Sequence, residues 1–81
     1  MMAEAFILIN VSAGKVIDVL KAIGGIDGVS EVLVVSGPYD LIARIKADDF
    51  NTIANLVLDR IQAIDGVIAT ITCNVVKHEE G

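Results

Sequence analysis

Ile26-Asp27-Gly28-Val29 returns 38 residues later as Ile64-Asp65-Gly66-Val67, and this echo decides the fold. Each copy follows a stretch with apolar residues at helical spacing and precedes a β-branched run. A helix that ends in Ile-Asp-Gly and feeds directly into a strand, twice, marks two βαβ halves. Upstream of the first copy, Ala5 to Val11 is rich in Ile, Leu and Val and reads as a strand. Ser12 stands where an N-cap belongs, and Val16, Val19, Leu20 and Ile23 predict a helix from about Ala13 to Ile23. Gly24 and Gly25 should stop it, because glycine enters the left-handed cap region without steric cost.

The rest of the chain follows the same logic. Val29 to Ser36 is a second strand, Gly37-Pro38 a tight connection, and Tyr39 to Lys46 a third strand. Asp48 or Asp49 caps a second helix, Phe50 to Ile64, with an apolar stripe of Phe50, Ile53, Ala54, Val57, Ile61 and Ile64. Val67 to Val76 is the fourth strand, and the polar tail 77–81 is expected to fray. The order is βαββαβ. Right-handed crossovers then predict an α+β, ferredoxin-like sandwich: a four-stranded antiparallel sheet of order 4-1-3-2 with both helices on one face. At 81 residues the chain is expected to form one domain, 1–81.

Composition bounds the rest. A domain of this size buries only roughly 60% of the surface of its unfolded chain, yet 54% of the residues are apolar. The excess must enter a membrane or another protein surface. A spanning helix needs about 20 apolar residues in a row, and the longest run here is Ala5 to Ile9. The start, Met1-Met2-Ala3-Glu4, lacks the basic character of a signal peptide. The expectation is a cytoplasmic homo-oligomer with no membrane contact. A net charge of −5 and six scattered basic residues also argue against direct nucleic-acid binding.

The sheet should show where the excess lies. Strand residues alternate between faces, and the more apolar set of each strand is expected under the helices. In the fourth strand that set is Val67, Ala69, Ile71, Cys73 and Val75. The helix-free face would then carry Ile42, Ile68, and Val32 and Val34 or their neighbours, too apolar for a wholly solvated face. Sheet-to-sheet packing between chains is the expected use.

The residues hold little catalytic chemistry. Cys73 and His78 are the only Cys and His, which excludes an internal disulfide and any paired-cysteine metal site. Cys73 reads as packing and His78 as a tail residue. No cofactor motif appears, because Gly24-Gly25 lacks the spacing of a phosphate loop. One constellation remains. Tyr39 and Asp40 sit at the Gly37-Pro38 hairpin, and Thr70 and Thr72 alternate along the fourth strand. A carboxylate and two hydroxyls suit the ammonium and carboxylate of a free amino acid. Each also has an ordinary role, Asp40 closing the turn and the threonines favouring a strand.

Two segments resemble the Lrp/AsnC effector domain, or RAM domain. Val32 to Ile45, with Gly37-Pro38-Tyr39-Asp40 at its centre, resembles that family's Gly-x-Tyr-Asp segment. Ile61 to Thr72 resembles its Ile-x-Gly-Val-x-x-Thr-x-Thr ending, and the likeness runs from Ala5 to Val76. The resemblance implies a dimer with two sheets face to face (the dimeric α+β-barrel arrangement), further assembly up to octamers, and amino-acid effectors held between dimers. It implies ligand contacts at Gly37, Tyr39, Asp40, Thr70 and Thr72. The family's helix-turn-helix domain has no counterpart in this sequence. The expectation is therefore a stand-alone, non-enzymatic module that modulates transcription through full-length regulators rather than binding DNA. Pro38 lacks an N–H, which removes one possible ligand contact. A small dimeric α+β-barrel enzyme and an ACT-like regulatory domain are the alternatives.

Overall fold

The computed structural model describes residues 2–77. It contains β1 (Ala3–Val11), α1 (Val16–Gly24), β2 (Val29–Val34), β3 (Leu41–Ala47), α2 (Phe50–Leu56) and β4 (Val67–Asn74). A π-helical turn, Val57–Ile61, extends α2. The strands form one antiparallel sheet in the order β2-β3-β1-β4, the expected 4-1-3-2 read from its other edge. This is the α+β ferredoxin-like fold.

The core lies between the sheet and the helices. From β1 come Ala5, Ile7 and Ile9, from β3 Leu41, Ala43 and Ile45, and from the helical segments Val19, Ile23, Ile53 and Ile61, all inaccessible to solvent. Their sequence spacing alternates in the strands and follows the helical period elsewhere, so each element buries one side. Burying an Ile or Leu contributes about 1.5–3 kcal/mol.

The echo is an echo in space as well. Gly28 and Gly66 adopt φ of +98° and +103°. Ile26 N donates to Ile23 O and Val29 N to Ile26 O in the first copy; Ile64 N donates to Ile61 O and Val67 N to Ile64 O in the second. Both connections need a left-handed residue at the same place, which glycine supplies at least cost.

Several boundaries differ from expectation. Helix α1 starts at Val16, not Ala13, and its first flanking residue is Lys15, with no side-chain cap. Gly14 at φ +82° and the Lys15 N to Ser12 O bond make a turn first, so the Ser12 side chain does not cap the helix. Gly25 ends the helix at φ −89°, not in the left-handed region, which the chain reaches only at Gly28. Asp49 caps α2, its side chain accepting from Thr52 N at 2.7 Å.

The larger correction concerns the faces. Strand β4 pairs Val67 with Val11 but Ala69 with Asn10, leaving Ile68 as a bulge. One extra residue reverses every later side chain. Thr70 and Thr72 therefore stand opposite buried Ile9 and Ile7 on the helix side, while Ile71 and Cys73 stand opposite Leu8 and Phe6 on the helix-free side. Cys73 is exposed rather than packed in the core. Strand β2 bulges at the equivalent place, Ser30. That puts Val32 and Val34 opposite Ala43 and Leu41 on the helix side, and turns Leu33 outward beside Ile42.

The helix-free face now reads clearly. Cross-strand neighbours Leu33, Ile42, Leu8 and Ile71 form an apolar row across all four strands. Leu33 is 49% exposed and Ile71 48%. Beside it Arg44 lies over the Phe6 ring at 5.8 Å and pairs with Glu4.

Candidate functional site

The Gly37-Pro38 turn joins β2 to β3 and delivers Asp40 to the end of β1. Gly37 has φ +135° and no atom within 4 Å of where a Cβ would stand, so its glycine serves backbone conformation rather than close packing. Asp40 is held three ways: its N–H donates to Ile9 O at 3.0 Å, its carbonyl accepts from Val35 N at 3.0 Å, and its Oδ2 accepts from Val11 N at 2.8 Å. Val11 is where β1 meets the β4 bulge, and the carboxylate satisfies a strand N–H there. Asp40 thus has a structural task. A carboxylate accepts several hydrogen bonds, so its charge can also serve a ligand. Tyr39 is half-buried next to it.

The threonines sit elsewhere. Thr70 Oγ1 accepts from Gln62 Nε2 at 2.9 Å, which ties the strand to the end of the second helical segment. Thr72, two residues on, is exposed. Strand β1 separates β4 from β3. Adjacent strands lie about 4.8 Å apart, so β1 holds the hairpin strand and the threonine strand about 10 Å from each other. Gln62 was not singled out from the sequence; its i, i+8 contact to Thr70 crosses the helix–strand connection and has no periodic signature.

The charges have plain causes. The Arg44 guanidinium, bonded to Glu4, holds that carboxyl below the ordinary glutamate range, with help from the charges of Lys46 and Lys77. The Thr52 N–H and hydroxyl hold Asp49 low in the same way. Among the described residues no group of three or more His, Cys, Asp or Glu converges to hold a metal, and no helix is long and apolar enough to cross a membrane. His78 lies outside the described residues. A cavity of about 610 Å³ opens at the opposite end of the sheet from the hairpin, where β1 starts and β4 ends.

A bulged four-stranded sheet, two helices on one face and an acidic hairpin define a small α+β domain. Comparison with known proteins makes this specific. Residues 4–79 match the Lrp/AsnC ligand binding domain, and the chain belongs to that family. TTHA0845 from Thermus thermophilus has the same fold, with a TM-score of 0.90 and 30% identity over 98% of this chain and 99% of that one. PHS023 from Pyrococcus horikoshii gives 0.85 and 28%, covering 96% and 93%. Homocitrate synthase of Sulfurisphaera tokodaii is 37% identical over 59 residues. That stretch is 73% of this chain but only 13% of the synthase, so the likeness reaches a small part of the enzyme.

Proposed function

We propose that the chain is a non-enzymatic effector module that dimerises through its helix-free sheet face and holds an amino acid between dimers. The apolar row Leu33–Ile42–Leu8–Ile71 carries this reading. It is continuous across the sheet, half-exposed, and flanked by an ion pair rather than a polar stripe. A solvated antiparallel face would alternate to polar residues there. Face-to-face packing would cover the row and leave Thr70 and Thr72 on the outer, helix-bearing side. A ligand held by them together with Gly37, Tyr39 and Asp40 then needs a second dimer to complete its site.

The absence of catalytic chemistry among the hairpin and threonine residues favours binding over turnover. Full-length regulators of the same family are the expected partners, since they contain a domain of the same kind. A second reading has the chain serve an enzyme instead; the match to part of a homocitrate synthase favours it. Mixing the chain with a regulator or with such a synthase and measuring co-elution separates the two.

The test of the effector reading is a thermal-shift panel of the common amino acids. At least one should raise the melting temperature, and Asp40→Asn, which keeps an acceptor for Val11 N but removes the charge, should abolish that rise. No shift across the panel counts against the reading.

A further inference from the structure

We propose that the open edge of β4 pairs with the β4 edge of a second copy, so that two sheets join into one and link the dimers proposed above. Strand β4 is an outer strand of the sheet. From Val67 to Asn74 it holds neither a charged residue nor a proline. Edge strands are ordinarily shielded by a charge, a proline or a covering segment, since their free backbone groups recruit another strand. The bulge at Ile68 disturbs only the start of β4, and the register to β1 runs unbroken from Ala69 to Asn74. The opposite edge, β2, is shorter and carries Glu31, whose carboxylate a two-fold pairing would bring towards its own copy. Strand β4 is therefore the edge left open.

The hydrogen-bond phase fixes which groups are free. Val75 N donates to Glu4 O at 2.8 Å, and hydrogen-bonded pairs alternate along an antiparallel ladder. Cys73 and Ile71 therefore turn their backbone groups to Phe6 and Leu8, their partners on β1. Thr70, Thr72 and Asn74 turn theirs outward, and among the described residues no backbone group outside the ladder meets them. A two-fold axis at Thr72 uses all three. Thr72 then exchanges both bonds with the second copy's Thr72, and Thr70 with the second copy's Asn74. An axis at Ile71 would draw in the bulge, and one at Cys73 would run past the end of the strand. The side chains agree with this register. Thr72 meets a threonine and Thr70 an asparagine on the helix side, while Ile71 meets a cysteine on the helix-free side. The apolar row that ends at Ile71, 48% exposed, continues into Cys73 and Phe6 of the second copy. An edge contact alone buries little side chain and is too small to hold two single chains at micromolar concentration. It adds to the face-to-face dimer, and the linking of dimers rests on that reading.

Sedimentation of the full chain, with no ligand added, tests the pairing. The parent should form species larger than the dimer. Asn74→Pro removes an outward N–H and no bond to β1, and Thr72→Lys sets like charges against each other across the axis; each should stop assembly at the dimer. Both positions are exposed, and far-UV circular dichroism confirms that the variants fold. A cross-link tests the register. Opposed residues of a non-hydrogen-bonded pair have Cα atoms about 4.5 Å apart, within disulfide range. Ile71→Cys should therefore cross-link to the natural Cys73 of a second copy under oxidised glutathione, and adding Asn74→Pro should suppress the covalent dimer. A parent with no species beyond the dimer overturns the proposal. So do larger species that persist in both edge variants, and a cross-link that is missing or indifferent to Asn74→Pro. If Leu8→Asp still dissociates the dimer in those cases, the face-to-face reading stands. Assembly that Leu8→Asp leaves intact and the edge variants dissolve removes the face-to-face reading and keeps the edge.

Discussion

Gly66 shows how much one residue can decide. Its φ is +103°, and a Cβ added there would stand 2.9 Å from Lys15 Cβ and 3.2 Å from Val19 Cγ2. Gly66→Ala therefore combines a left-handed strain with a clash against a helix that has little room to move. We expect a loss of about 1–3 kcal/mol, read from urea denaturation. Gly37→Ala has the strain without the clash and should cost less. Glu4 sets an acid limit in a different way. Its pKa is lowered in the folded state by Arg44, so its contribution is complete above the ordinary glutamate pKa and disappears as pH falls through the lowered value. The melting temperature should fall as the pH drops below the ordinary glutamate range, and Glu4→Gln should flatten that part of the profile. Asp49, lowered by Thr52, adds to the slope with the same sign.

At the scale of elements, α2 depends on its cap. It has only seven residues before the π-helical turn, too short to be stable on propensity alone. Asp49→Ala removes the acceptor for Thr52 N and should fray the first turn, visible as lost helical dichroism and a lower melting temperature. The strands carry the main lesson about legibility. In β1 the run Phe6 to Ile9 offers two apolar faces, but the order βαββαβ, the sheet topology and the core face of β3 follow from periodicity, because Leu41, Ala43 and Ile45 alternate with Arg44 and Lys46. The faces of β2 and β4 do not. Bulges at Ser30 and Ile68 each insert one residue, and nothing in the local pattern distinguishes a bulged strand from a regular one. Both bulges fall directly after the repeated Ile-Asp-Gly-Val. The left-handed glycine and the bulge thus recur as one unit, which aims each following strand. The hairpin residues were legible as a group, but the second role of Asp40 as acceptor for Val11 N was not, since those residues lie 29 apart.

At the scale of the whole molecule, the proposed dimer rests on the helix-free face. Leu8→Asp places a charge in the centre of the apolar row, opposite both Ile42 and Ile71. It leaves the helix-side core untouched. The variant should fold as a monomer while the parent sediments as a dimer or larger species, and a parent that stays monomeric at micromolar concentration removes the basis for the face-to-face arrangement. Cys73 reports on the same event. It is exposed on this face, so its thiol should react readily in the Leu8→Asp monomer and slowly in the assembled parent. By itself the sequence determined the element order, the topology and the apolar excess, because these rest on composition and short-period patterning. Only the tertiary structure decided which side chains face out on β2 and β4, so that Thr70 and Thr72 turn to the helix side and Ile71 and Cys73 away from it. Pairing register is a contact between distant segments, and one inserted residue changes it without altering the composition or local spacing that a sequence displays.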